Sequence, residues 1–157
     1  GELKQALDSV TFLDQALELQ TLPAAELGLG YRTSRFESEG GVILEAEFRL
    51  EPGYRQDIEG RMRELMERRR EKQPLELPSA GSTFKRPQGA FAGALIEQAG
   101  LRGFAVGGAA VSTKHCGFVV NTGGATCADV IALTDEVTRI VYEKTGYRLE
   151  REIRVVE

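Results

Sequence analysis

Three polar residues stand out in this sequence of 157 residues once the core positions are set aside: Arg32, Ser82 and Glu152. A guanidinium can hold a carboxylate through two parallel hydrogen bonds and stabilise negative charge added to it. With a hydroxyl and a carboxylate it makes a combined acid and electrostatic set. Arg32 follows Gly30-Tyr31 in a polar-aromatic loop, with no helix face to account for it. Ser82 lies in Pro78-Ser79-Ala80-Gly81-Ser82-Thr83-Phe84-Lys85-Arg86-Pro87. There Gly81 admits backbone geometry that other residues resist, and the prolines prevent a helix from running through. Glu152 stands between Arg151 and Arg154. Each also has an ordinary reading: a surface cation, a turn, cap or loop hydroxyl, and half of a surface ion pair. Local chemistry leaves both readings open.

The elements that must position these residues follow from patterning. Residues 8–22 alternate through Val10, Phe12, Leu17, Leu19 and Leu22, which predicts a hairpin turning near Asp14. Pro23 to Leu27 predicts one helical turn. Val42 to Leu50 predicts a strand with Leu44, Ala46, Phe48 and Leu50 on one face. Ile58, Met62, Leu65 and Met66 mark an amphipathic helix over 55–72, ending in a basic turn. A short helix over 90–99 is closed by Gly100. Residues 104–112 predict a loosely packed small-residue strand or turn pair, and 118–121 a buried strand. Thr126 caps a long helix, with Asp129 as its capping-box acid, and Lys144-Thr145-Gly146 ends it. Tyr147 to Val156 alternates as an edge strand would. The expectation is an α+β or α/β protein divided near residues 51–54. Residues 1–53 form a β-rich part, and residues 54–157 a small α/β domain plus a C-terminal strand.

Composition excludes several classes. The hydrophobic fraction is 41% and the charged fraction 28%, which reads as soluble and globular. Twenty Lys and Arg against 24 Asp and Glu give a net charge of -4, which disfavours nucleic acid and anionic membranes as partners. No apolar run approaches the ~18 residues of a membrane span, and no signal peptide opens the chain. Cys116 and Cys127 lack metal-site or redox spacing and read as reduced, partly buried thiols of a cytoplasmic protein. Gly107-Gly108 belongs to neither a GxGxxG nor a GxxxxGK[ST] motif. A chain opening Gly1-Glu2-Leu3-Lys4 and entering a strand pattern at once is expected to have been cut from something longer.

The run Ser79-Ala80-Gly81-Ser82-Thr83-Phe84-Lys85-Arg86-Pro87 resembles the Gly-Ser-x-Phe-Lys signature of the UDP-N-acetylenolpyruvoylglucosamine reductase (UDP-N-acetylmuramate dehydrogenase) family. Leu95 to Gly103, Val106 to Ala109 and Ser112 to Asn121 are similar to the same family. Leu149-Glu150-Arg151-Glu152-Ile153-Arg154 resembles its Leu-Glu-Pro-Glu-Val-Arg motif, and Gly30-Tyr31-Arg32-Thr33-Ser34-Arg35-Phe36 its Gly-Tyr-Arg-x-Ser-x-Phe segment. The resemblance implies a bacterial, cytoplasmic flavoenzyme of peptidoglycan precursor synthesis that uses FAD and NADPH to reduce UDP-N-acetylglucosamine enolpyruvate. It implies Ser82 as general acid, Arg32 as the cation that steadies the enolate, and Glu152 as the assisting carboxylate. It further implies substrate contacts from Tyr31, Lys72, Lys85 and His115. Arg86 departs from the family's Asn. The resemblance also implies that residues 1–53 continue a second flavin-binding domain, whose N-terminal FAD-binding partner domain lies outside this sequence. No FAD is therefore expected to bind this chain alone. A non-catalytic UDP-sugar-binding module is the competing reading, and a structural interaction domain a third.

Overall fold

In the computed structural model, which describes residues 2–30 and 32–156, the alternation around Asp14 folds into a hairpin. Strands β1 (Leu7–Leu13) and β2 (Leu19–Pro23) pair antiparallel. The Asp14 carboxylate closes the turn by accepting the amides of Ala16 and Glu18, each at 2.9 Å. Leu17 does not continue the strand alternation. It sits exposed in the turn at a φ of 63°. Val10 and Phe12 of β1 bury against Leu27, which follows a 3-10 turn at Ala24–Glu26. Phe12 also meets Phe36 of helix α1 (Arg35–Glu39) edge to face at 4.9 Å. Strand β3 (Val42–Phe48) adds to the free side of β1, giving the order β2-β1-β3. Leu44, Ala46 and Phe48, the face expected to be apolar, are exposed along with the rest of β3.

The chain divides into two compact units, residues 1–57 and 58–157, and the division falls within the first turn of helix α2 (Arg55–Lys72). The predicted stripe of α2 is present, but Ile58, Met62, Leu65 and Met66 are all exposed.

The second unit is built on an antiparallel sheet ordered β4-β7-β6-β5, from strands β4 (Ser79–Ser82), β5 (Ala105–Val106), β6 (Ala109–Val111) and β7 (Phe118–Asn121). Helices α3 (Ala92–Gln98) and α4 (Cys127–Thr145) contribute Leu95, Ile96, Leu133, Val137 and Val141 to one core with Ala109, Val111 and Val119. The fold is thus α+β, with antiparallel sheets throughout. Both helix ends follow their residues. Gly100 takes a φ of 77° just after α3, and the Thr126 hydroxyl and Asp129 carboxylate cap α4 reciprocally.

Three expectations need correction. The stretch around Ser82 is a bulged strand, because Gly81 at a φ of 82° absorbs the register shift while Ser79 and Ser82 pair with Val120 and Phe118. Residues 104–112 form the expected strand pair but are closely rather than loosely packed, with β6 wholly buried and no room for a Cβ at Gly108, which would lie 2.5 Å from the Ala125 amide. The C-terminal stretch is not a regular strand. It makes one isolated bridge, Phe84 with Arg151, because the bulge at Gly81 interrupts the edge on one side and Pro87 diverts the chain on the other.

Candidate active site

Ser82 ends β4 opposite Phe118 of β7, exposed, with no hydrogen-bond partner for its hydroxyl among the described residues. The residues after it are gripped from both sides. On one side the Thr83 amide donates to the Gly117 carbonyl at 2.9 Å, and the buried Thr83 hydroxyl accepts the Val119 amide at 3.1 Å. On the other, the Glu152 amide donates to the Thr83 carbonyl at 2.9 Å, and the Lys85 amide to the Glu150 carbonyl at 2.8 Å. Glu152 therefore stands one ladder step from Ser82, although 70 positions separate them in sequence by their numbers (152 − 82). Leu149 anchors this tail in the core.

Lys85 and Glu150 join across the same ladder through their side chains, so a carboxylate already faces that ammonium. Glu150 escaped sequence reasoning, although it belongs to the alternating C-terminal motif. The next cation, Arg86, stacks on the exposed Phe91 ring at 4.0 Å. This geometry leaves the guanidinium edge open to a planar anion.

His115 reaches the same region through the turn between β6 and β7. The Ser112 hydroxyl, itself buried, accepts the amides of Lys114 and His115 and fixes the turn. The Gly117 amide donates to His115 Nδ1 at 3.1 Å, an arrangement that requires the Nε2–H tautomer. The same Gly117 carbonyl receives Thr83, so one glycine connects the histidine to the Ser82 strand. Its ring lies edge to face with Phe118 at 5.1 Å. Lys72 closes α2, exposed, ten positions before Ser82 by number (82 − 72).

Arg32 belongs to the first unit. Its loop is closed by the Gly30 amide on the Thr33 carbonyl at 3.0 Å, and Arg32 itself takes a φ of 56°. For a residue bearing a Cβ this is strained backbone, of a kind concentrated at functional sites. Tyr31 lies outside the described residues. The second unit thus carries Ser82, Lys85, His115 and Glu152 on backbone segments that hydrogen-bond to one another, and Arg32 lies in a strained loop of the first unit.

The diglycine turn offers no phosphate cradle. A Cβ at Gly107 would fall 2.3 Å from the Asp129 carboxylate, so an acidic side chain fills that space. Hydrogen bonding to Thr126 holds the Asp129 carboxyl below the usual carboxylate range, with the Gly108 amide adding to the effect. Among the described residues no cluster of His, Cys, Asp and Glu is arranged to hold a metal. Cys116 is buried, and burial pushes its thiol up, whereas Cys127 is exposed rather than partly buried. No helix among the described residues is long and apolar enough to cross a membrane.

Comparison with known proteins agrees with the motifs. Residues 73–156 match the model for the C-terminal domain of UDP-N-acetylenolpyruvoylglucosamine reductase. Reductases of that name from Lachnoclostridium phytofermentans and Agathobacter rectalis are each 51% identical over 156 residues, covering 99% of this chain and 50% of theirs. A crystal structure of UDP-N-acetylenolpyruvylglucosamine reductase from Thermus caldophilus superposes with a TM-score of 0.80 at 34% identity, covering 98% of this chain and 54% of that one. The chain spans about half the length of the curated relatives it matches.

Proposed function

Because this chain belongs to the UDP-N-acetylenolpyruvoylglucosamine reductase family, we propose that it supplies the substrate site and proton donor for reduction of UDP-N-acetylglucosamine enolpyruvate to UDP-N-acetylmuramate, a step of peptidoglycan precursor synthesis. In the full-length enzyme, bound FAD reduced by NADPH would supply the hydride. Residues 1–53 are read as part of a flavin-binding domain and residues 54–157 as the substrate domain. The hydride adds to the terminal carbon of the enolpyruvyl double bond, and negative charge develops on the α-carbon and carboxylate. Arg32 stabilises that charge as it forms, where a fixed cation has its greatest effect. Ser82 then donates its proton to the α-carbon and regains one from solvent. A hydroxyl is a weak acid, but a carbanion-like enolate is a far stronger base, so transfer runs downhill. Glu152 assists the transfer. Tyr31, Lys72, Lys85 and His115 bind the substrate, the cations meeting its diphosphate.

The observation that carries this reading is the ladder of residues 83–85 with 150–152, which supports joint action of Ser82 and Glu152. Ser82→Ala, in a full-length reductase carrying these 157 residues, is expected to slow reduction of the enolpyruvyl substrate by about 10²–10⁴-fold. Flavin reduction by NADPH should persist. A wild-type rate of substrate reduction would remove the general-acid role and favour a UDP-sugar-binding module.

A further inference from the structure

We propose that Arg151 is a positioning residue: a latch to α4 that fixes the C-terminal tail and so sets the placement of Glu152. This deepens, and rests on, the reading of Glu152 as a group that acts on the substrate.

The backbone of the tail is lightly held for a segment that carries Glu152. Beyond buried Leu149, its backbone makes two hydrogen bonds to the 83–85 segment and a single bridge, with no continuous strand around them. Val155 and Val156 are exposed. Side-chain tethers must provide what the backbone does not.

Arg151 provides them. Its Nη2 donates to Asp135 Oδ1 at 2.9 Å, and its Nη1 to Thr134 Oγ1 at 3.4 Å. Both partners lie in the middle of α4, the longest helix of the second unit. Thr134 is fully buried, and its hydroxyl donates to the Ile131 carbonyl at 2.8 Å while accepting from Arg151. One end of the latch is therefore a fixed core residue. The other end is the residue adjoining Glu152. The Lys85–Glu150 pair joins two exposed side chains, so it holds the tail less firmly than a bond to buried Thr134.

The ladder predicts its own control. The bonds run from Lys85 to Glu150 and from Glu152 to Thr83, so the Arg151 amide donates to neither. Proline at 151 would remove no ladder bond while fixing φ. Backbone stiffness then replaces the side-chain latch.

The test uses a full-length reductase carrying this chain. Arg151→Gln and Asp135→Asn are each expected to lower kcat about tenfold, with KM for the enolpyruvyl substrate and flavin reduction by NADPH unchanged. The double variant should be no worse than either single one. In a Glu152→Gln background Arg151→Gln should add nothing, and with Glu152 intact Arg151→Pro should retain most of the rate that Arg151→Gln loses. Independently of activity, Arg151→Gln should speed hydrogen exchange at the Glu152 and Lys85 amides, leaving that of Val119 unaltered. Unchanged exchange at the tail, or a loss of kcat that adds to that of Glu152→Gln, overturns the latch. If Glu152→Gln itself leaves turnover intact, the role of Glu152 and the catalytic consequence of the latch both fail, and exchange still decides whether the latch exists.

Discussion

At a φ of 56° the backbone of Arg32 occupies the left-handed region, where a Cβ costs roughly 1–2 kcal/mol that glycine avoids. Stability and function should therefore pull in opposite directions at this position. Arg32→Gly is expected to leave thermal stability equal or raised by about 1 kcal/mol, while removing the guanidinium on which enolate stabilisation is proposed to depend. Thermal melts and steady-state kinetics of a full-length reductase carrying the change measure both. A drop in stability would mean that contacts of the guanidinium outweigh the strain. Ser82 presents the reverse case. Its own geometry is relaxed, and the special conformation is moved one residue back to Gly81, whose positive φ costs nothing sterically and whose side has open space.

Among the elements, α4 was the most legible, since Thr126, the apolar spacing and Gly146 fall where the helix begins, packs and ends. Its cap also makes a pH prediction. The Asp129 carboxyl is held low in the folded state by its bonds to Thr126, so its contribution to stability is complete above about pH 4 and fades as pH falls through the folded value. Asp129→Asn should lower the melting temperature near neutral pH and make it less sensitive to acid, as melts at pH 6 and pH 3 would register. The C-terminal stretch was misread because alternation reports which side chains share a face, not whether a partner strand exists. Only residues 150–152 meet an edge free to pair. The glycines and prolines around Ser82 suggested a loop for a related reason: a bulge uses the residues of a turn while keeping its pairing. Ser82, Arg32 and Glu152 stand out in the sequence by residue type alone. The meeting of the 83–85 and 150–152 segments was not readable, because it depends on a long-range pairing that carries no local signal.

At the scale of the molecule, apolar positions that sequence assigned to packed faces remain exposed on β3 and α2, in a chain spanning about half of its relatives' length. A spectrum of the purified 157 residues tests the cofactor expectation: no stoichiometric flavin absorption is expected, and a yellow one-to-one complex would overturn it. The ladder beside Ser82 has a consequence in time as well as in space. Lys85 and Glu150 meet across 65 positions, so their pairing must close a long loop that the hairpins and α4 do not require. Folding should therefore build the scaffold before the site. A newly folded molecule would pass through an interval in which its helices and sheets are complete but Ser82, the proposed proton donor, still lacks the segment that carries Glu152.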